Sequence, residues 1–174
     1  TVPHASGLLA GKLLGCQFTF VPFQGGAPAI TAVMGGQVDA TIEMVQSMVE
    51  ANKAGKLKIL ASFTNEPVPG LDIPVMGKLY PSFAPHLPYG PYFGLFAPQK
   101  TPDNVVKILT EKMDEAVKDK RWLDYTDRLY LPRINYSGAE AMKFLEEWTS
   151  KSAWLFYDAG AAKANPADFG IKKP

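Results

Sequence analysis

The residues with the clearest capacity for chemistry form a short glycine-containing loop, Gln24-Gly25-Gly26. Two of its three residues lack a Cβ, so their backbone N–H groups can approach a ligand closely. A helical pattern begins at Ala27, with Pro28 in the first turn, where the missing N–H of proline is not needed. Free N–H groups at a helix start, aided by the helix dipole, attract anions. The loop is therefore a candidate anion site; the alternative is that the two glycines only form a tight turn.

The elements that must position this loop are predicted to be a strand, a helix and a second strand. Residues 18–21 are aromatic and β-branched, as strands prefer. Residues 27–34 carry apolar side chains at helical spacing, and Gly35-Gly36 is a suitable helix end. Residues 38–44 alternate in the manner of a strand. Together they predict a right-handed parallel crossover with the glycine loop at the start of its helix.

Two further side chains lie at predicted element ends. Residues 1–14 predict a loop running into a helix, with His4 at its front edge and Gly15 as its end. Glu43 follows the second predicted strand, where open α/β sheets bind ligands. The alternatives are a surface or capping histidine and a solvated carboxylate at a helix start. No other His, Cys or carboxylate stands at a metal-ligand spacing from His4, so no metal is predicted.

The rest of the chain is predicted to be scaffold. Lys53 to Leu57 predicts a helix end at Gly55, and residues 57–61 a strand. Residues 65–91 hold seven prolines, which predicts a stiff surface excursion with one short helix near 75–80. Strands are expected at 92–97 and 131–135, with helices starting near Thr101, Trp122 and Ser137. The aromatic rings of Tyr89, Tyr92 and Phe93 either wall a ligand cleft or pack as core or lid, which we favour for Phe93.

Composition excludes several classes of function. The formal charge is +1 and no run of Lys and Arg forms a stripe, so no nucleic-acid partner is predicted. No apolar run approaches about 20 residues, so no membrane span is predicted. The one cysteine, Cys16, cannot form an intrachain disulfide and is expected to be buried and inert. No Lys or Arg occurs between Leu13 and Asn52, so a bound anion must be held by backbone N–H groups, helix dipoles and small polar groups.

Five motifs occur in an order that matches one protein family. They are PHASG at residues 3–7, FQGGAPA at 23–29, GGQVD at 35–39, KAGKL at 53–57, and FGLFAP at 93–98 followed by Thr101-Pro102. In this order the chain resembles the extracytoplasmic solute-binding receptors of tripartite tricarboxylate transporters, from Pro3 to about Ile171. The resemblance implies an α/β fold of the periplasmic-binding-protein type II, or Venus flytrap, architecture. Residues 1–91 would form the ligand-binding α/β lobe without its first strand, and 92–174 the C-terminal helical and strand part of the other lobe.

The resemblance also implies a function without catalysis. The chain would capture a small organic acid, a carboxylate, and deliver it to the membrane subunits of a tripartite tricarboxylate-type transporter, with no cofactor. It would act in the periplasm, after export by a signal peptide not present in this chain. Two helix starts would converge on one anion, and the implied ligand-binding residues are Pro3, His4, Ala5, Ser6, Phe23, Gln24, Gly25, Gly26, Ala27 and Glu43. Glu43 would contact a ligand hydroxyl or a bridging water.

Family members are longer, and the excess lies before Thr1. We therefore expect this chain alone to bind its solute weakly or not at all, and to self-associate through apolar surface that the missing lobe would cover. The first alternative is an effector-binding domain of a transcription regulator with the same two-lobed fold, which needs a helix-turn-helix ahead of Thr1. The second is a small enzyme, for which the sequence offers no acid–base or nucleophile constellation.

Overall fold

The computed structural model describes residues 2–174 and is built mainly from helices. Seven α-helices follow one another: α1 Val2–Leu14, α2 Gly26–Met34, α3 Val45–Lys53, α4 Met76–Leu79, α5 Asp103–Ala116, α6 Lys120–Arg128 and α7 Gly138–Asp158. Two 3₁₀ helices, Pro81–His86 and Pro166–Phe169, complete the regular structure. The one β-type pairing in the described residues is an isolated parallel bridge between Ser62 and Val75.

The strands predicted at 18–21, 38–44, 57–61, 92–97 and 131–135 are wrong as hydrogen-bonded strands. Their composition suits strands, but a strand exists only where a neighbouring strand takes up its N–H and C=O groups. In residues 2–174 no such ladder forms. Of the predicted strand–helix–strand unit, only the helix α2 is present in the described residues. The one β-type pairing there is the Ser62–Val75 bridge.

The helix ends follow the glycines. Helix α2 ends at Met34, and Gly36 adopts φ +68°, which confirms the predicted stop. Helix α3 ends at Lys53, and Gly55 likewise has φ +68°. The short helix predicted near 75–80 is α4. These boundaries could be predicted because glycine is the usual left-handed residue after a helix, although Tyr130 adopts φ +56° after α6.

The main hydrophobic core joins the two ends of the chain. Its central ring is Phe83, with 0% of its surface exposed, and the other buried members are Ala5, Leu9, Ala10, Val75, Leu87, Tyr89 and Leu155. The first three belong to α1, Leu155 belongs to α7, and the rest come from the proline-rich segment between them. The predicted surface excursion at 65–91 is therefore wrong in part, because its apolar side chains fill the space between α1 and α7.

Helix α1 packs closely against the segment that follows it because it contains two glycines. A Cβ at Gly7 would lie 2.7 Å from Cε1 of Phe20, and one at Gly11 would lie 2.9 Å from the Cys16 carbonyl oxygen. Gly15, with φ +67°, reverses the chain between helix and segment. Cys16 is exposed after this reversal, which corrects the expectation of a buried thiol.

Helix α7 is hydrogen-bonded to the proline-rich segment at two places. The buried hydroxyls of Tyr89 and Ser152 lie 3.1 Å apart, and the Trp148 indole N–H donates to the Gly90 carbonyl at 3.2 Å. The Tyr89 and Trp148 rings stack with centroids 6.2 Å apart. Tyr89 is thus a core residue, and Tyr92 packs edge-on against Trp148.

An apolar surface remains exposed between residues 93 and 109. Phe93 is 83% exposed, which corrects the prediction that it packs as core or lid. None of the residues of α5 is buried, although the helix has a clear apolar stripe. We call the following set the exposed apolar surface: Phe93, Leu95, Phe96, Val105, Val106, Ile108 and Leu109.

Candidate functional site

The glycine loop lies at the N-terminus of α2, as the sequence predicts. Gly25 is the N-cap residue with φ 105°, a conformation that residues with a Cβ rarely adopt, and Gly26 begins the helix. Pro28 is the third helical residue, so it still lies in the first turn. No side chain hydrogen-bonds to this cap. The first N–H groups of α2 therefore have no intrahelical acceptor and face outward with the positive end of the helix dipole.

The Glu43 carboxylate lies directly against this helix start. A Cβ built on Gly26 would stand 2.6 Å from Glu43 Oε2, 2.8 Å from Cδ and 3.2 Å from Oε1. The missing Cβ of Gly26 is therefore the space that the carboxylate occupies. Proximity to the N-terminal end of a helix is favourable for a negative charge. The sequence placed Gly26 and Glu43 in one site, but their direct contact is visible only in the structure.

Burial raises the pKa of Glu43 above its ordinary value of 4.5, and a hydrogen bond from the Met44 backbone N–H opposes that rise. Desolvation is the larger cause because the carboxylate is partly withdrawn from water. No Lys or Arg of the described chain forms an ion pair with it. Its charge is therefore compensated by the Met44 backbone N–H and by its position at the start of α2.

The four residues from Pro3 to Ser6 lie inside α1. The predicted loop at the front of this helix is wrong for residues 2–6, because α1 already begins at Val2. Ala5 and Ser6 are 1% and 3% exposed, and the Ser6 hydroxyl donates to the Val2 carbonyl at 3.1 Å. Neither side chain projects into open solvent.

His4 is half-buried between two aromatic rings. Its imidazole centroid lies 4.5 Å from that of Phe20 and 6.0 Å from that of Phe156, both edge-on. The expectation of an exposed histidine is corrected by these contacts. The ring orientation is fixed by packing, which limits the directions in which its nitrogens can donate or accept.

A chain of contacts connects the start of α1 with the start of α2. Phe20 touches both His4 and the backbone of Gly7. A Cβ on Gly7 would also lie 3.9 Å from Cδ1 of Ile42, the neighbour of Glu43. Glu43 in turn covers Gly26. The remaining candidates, Phe23, Gln24 and Ala27, are exposed beside the loop. Phe20 and Ile42 could not be identified as site residues from the sequence, because aromatic and aliphatic side chains are ordinary in a predicted strand.

Comparison with known proteins decides the family. The sequence model described as TctC, tripartite tricarboxylate transporter family receptor, matches residues 8–160. The chain belongs to this family. A protein of the clcB-clcD intergenic region of Pseudomonas knackmussii is 27% identical over 116 residues, which are 66% of this chain and 68% of that protein. Protein BugT of Bordetella pertussis is 29% identical over 108 residues, or 61% of this chain and 32% of BugT.

Two solved structures share the fold. The periplasmic binding protein BugD superposes with a TM-score of 0.73 at 27% identity, covering 93% of this chain and 54% of BugD. The R. palustris protein Rpa4515, solved with adipate, superposes with a TM-score of 0.66 at 22% identity and supports the fold alone; the match covers 92% of this chain and 53% of Rpa4515. The chain thus corresponds to about half of the length of BugD and of Rpa4515.

Two other kinds of feature are absent from residues 2–174. No three His, Cys, Asp or Glu side chains are grouped so as to hold a metal ion in that part of the chain. Across the same residues, no helix combines the length and apolar character that crossing a bilayer requires. The candidate site is thus made of backbone groups, one carboxylate and one histidine.

Proposed function

We propose that this chain is part of an extracytoplasmic solute-binding receptor that captures a small carboxylate and passes it to a tripartite tricarboxylate-type membrane transporter. The observation that carries the proposal is the family match over residues 8–160, a range that includes the glycine loop at the start of α2. The receptor acts by binding alone, without a cofactor.

The candidate site supports a carboxylate ligand through its donors. The uncapped first turn of α2 offers backbone N–H groups beside a loop of small side chains. Such donors form strong charge-assisted hydrogen bonds to an anion. Glu43 lies at the same position, so it either contacts a hydroxyl of the ligand or a bridging water, or it moves aside when a carboxylate enters. From α1 the proposed site includes Pro3, His4, Ala5 and Ser6; because the Ala5 and Ser6 side chains are buried, these two residues act through the backbone of the helix start.

The two-lobed architecture is part of the same proposal. Residues 1–91 form most of a ligand-binding lobe, and residues 92–174 belong to the other lobe of a Venus flytrap receptor. The match covers 54% of BugD, a share that is consistent with most of one lobe and a part of the other. Closure of two lobes around a solute is a hinge motion. BugD is a periplasmic binding protein, and we assign the same location to this chain.

We also propose that the 174-residue chain self-associates. The exposed apolar surface includes Phe93 at 83% and Phe96 at 67% exposed, and large apolar side chains left exposed favour association. We expect concentration-dependent oligomers by light scattering. Phe96→Asp should reduce them, whereas Phe169→Asp, which also replaces an exposed phenylalanine but lies in the C-terminal 3₁₀ helix, should not. A monomer at all concentrations would refute this part of the proposal.

The ligand proposal is tested by NMR, which detects weak binding, because the chain spans only 54% of BugD. A panel of mono-, di- and tricarboxylates is titrated into the 174-residue chain while the backbone amide signals of Gly25, Gly26 and Ala27 are followed. At least one acid should shift them saturably, and the corresponding alcohol should not. Absence of any carboxylate-specific shift, or an equal shift with alcohols, would contradict the assignment of the anion site.

A further inference from the structure

A cavity lies beside the C-terminal half of α1, away from the start of that helix. It has a volume of about 170 Å³ and lies between α1, the end of the first 3₁₀ helix, α7 and the C-terminal residues. Lys12, which lines it, follows His4 by eight residues, a distance of about 12 Å along the helix axis. Cavities that hold drug-sized ligands are larger, so this one admits only a small molecule.

One wall of the cavity is apolar. Leu9, Leu155, Tyr89 and Trp154 contribute to it, and Lys173 Nζ lies over the Trp154 ring, 4.8 Å from its centroid. The Trp154 indole N–H is already used, because it donates to the Ile171 carbonyl at 3.0 Å. The Tyr89 hydroxyl is likewise paired with Ser152. What these residues offer a ligand is therefore apolar surface.

The other wall is basic. Lys12, His86, Lys151 and Lys173 all line the cavity, and Asp158 is the acidic side chain among its lining residues. Asp158 is shared by Lys12 at 3.2 Å and Lys173 at 3.0 Å. Lys151 forms no ion pair with any residue of the described chain. The cavity thus has more positive than negative side chains, with Lys151 free to bind an anion.

His86 belongs to the same basic wall. Burial lowers the pKa of His86 below its ordinary value of 6.5, and the positive charges of Lys151 and then Lys12 lower it further. Near neutral pH the imidazole is therefore uncharged, and it can donate a hydrogen bond from one ring nitrogen. An anion placed between His86 and Lys151 could accept a hydrogen bond from the imidazole and pair with the Lys151 ammonium group.

We propose that this cavity is a second binding site, for a small monocarboxylate with an apolar body. Lys151 and His86 hold the carboxylate, and Leu9, Leu155 and Trp154 contact the apolar part. The ligand would connect α1 to α7, since these helices supply the two sides of the cavity. This cavity contains no residue of the glycine loop, so the second site and the proposed receptor site can be tested independently.

The probe is benzoate, compared with benzyl alcohol and inorganic phosphate, in NMR titrations of the 174-residue chain. Benzoate should bind saturably with a Kd of about 1 mM or lower, which corresponds to a modest standard free energy. It should raise the pKa of His86, because a neighbouring carboxylate stabilises the imidazolium. Benzyl alcohol lacks the charge and phosphate lacks the apolar body, so both should bind more weakly than benzoate.

Variants locate the bound benzoate. Lys151→Met should weaken binding about fivefold, the upper range for a partly exposed ion pair. Lys143→Met removes a lysine from the same helix, 78% exposed and outside the cavity, and should leave the affinity unchanged. His86→Gln serves as a second test, because glutamine keeps a hydrogen-bond donor without a titratable ring.

Three results would overturn the proposal. Equal effects of the two lysine variants would show that the lysines act only through general charge. Phosphate binding as tightly as benzoate would remove the role of the apolar wall. Benzoate shifts at the Gly25 and Gly26 amides with none at His86 would place the carboxylate in the receptor site, which would support the proposed function and refute the second site.

Discussion

The contact between Gly26 and Glu43 can be tested by adding the atom that Gly26 lacks. In Gly26→Ala the new Cβ would lie 2.6 Å from Glu43 Oε2 in the present arrangement, so the carboxylate must move. Because it is the far end of a flexible side chain, it can move without unfolding the loop. The protein should remain folded, with Glu43 displaced from the start of α2.

The magnitude follows from two opposing effects. Alanine is favoured over glycine within a helix by about 0.5–1 kcal/mol. Against this, a carboxylate near a helix N-terminus contributes about 0.3–1 kcal/mol, which is lost when Glu43 moves away. Gly26→Ala should therefore change the free energy of unfolding little by itself. In a Glu43→Ala background the clash is absent. Gly26→Ala should then raise the free energy of unfolding by about 0.5–1 kcal/mol, the preference of a helix for alanine over glycine.

A double-mutant cycle isolates this contact. Urea unfolding followed by tryptophan fluorescence gives the free energies of the wild type, the two single variants and the double variant. The coupling between Gly26→Ala and Glu43→Ala should be about 0.3–1 kcal/mol. Gly25→Ala is the matched control: its Cβ meets no atom within 4 Å, but φ 105° strains it by about 1–3 kcal/mol, with no coupling to Glu43.

A coupling energy indistinguishable from zero would refute the contact. It would mean that the carboxylate spends its time in solvent and that Gly26 is needed only for the turn. A similar coupling energy between Gly25→Ala and Glu43→Ala would also refute a specific contact at Gly26. It would show that any substitution in the glycine loop changes the position of Glu43.

Three further predictions concern titration and packing. The pKa of Glu43 is raised in the folded chain, so the folded state binds this proton more tightly than the unfolded state does. The free energy of unfolding should therefore rise as the pH falls from above the raised pKa to the ordinary value of 4.5. Glu43→Gln should remove this rise, measured by urea unfolding at several pH values. Tyr89→Phe should destabilise by about 1 kcal/mol because it leaves the buried Ser152 hydroxyl without its partner, and a second substitution, Ser152→Ala, should then add little; additive losses in urea unfolding would contradict the pairing. Phe83→Ala should cost about 3–5 kcal/mol by opening a cavity at the centre of the core, whereas Phe169→Ala, at 71% exposure, should cost much less by thermal unfolding.

Local chemistry made several elements of this chain predictable. The ends of α2 and α3 follow from Gly36 and Gly55, since few other residues adopt the left-handed conformation without strain. The helical stripe of α5 and the short helix α4 follow from apolar spacing. The glycine loop at a helix start and the family motifs also depend on neighbouring residues, so they could be identified from the sequence.

Long-range contacts could not be predicted in the same way. The predicted strands required partners that residues 2–174 do not provide, and β-branched composition alone does not form a sheet. The proline-rich segment is part of the core because Phe83 and Tyr89 pack in one cluster with residues of α1 and α7. Phe93 stayed exposed although its type suggested burial.

The sequence by itself determined where a glycine loop opens a helix, because that depends on Gly25, Gly26 and Pro28, which are close together in the chain. Tertiary structure alone decided what occupies that place: Glu43 lies against Gly26, 17 positions earlier in the chain. It also brought Lys12, His86 and Lys151 to one cavity from three distant parts of the chain. Burial and electrostatic repulsion act between groups that are close in space, and closeness in space is fixed only when the core forms.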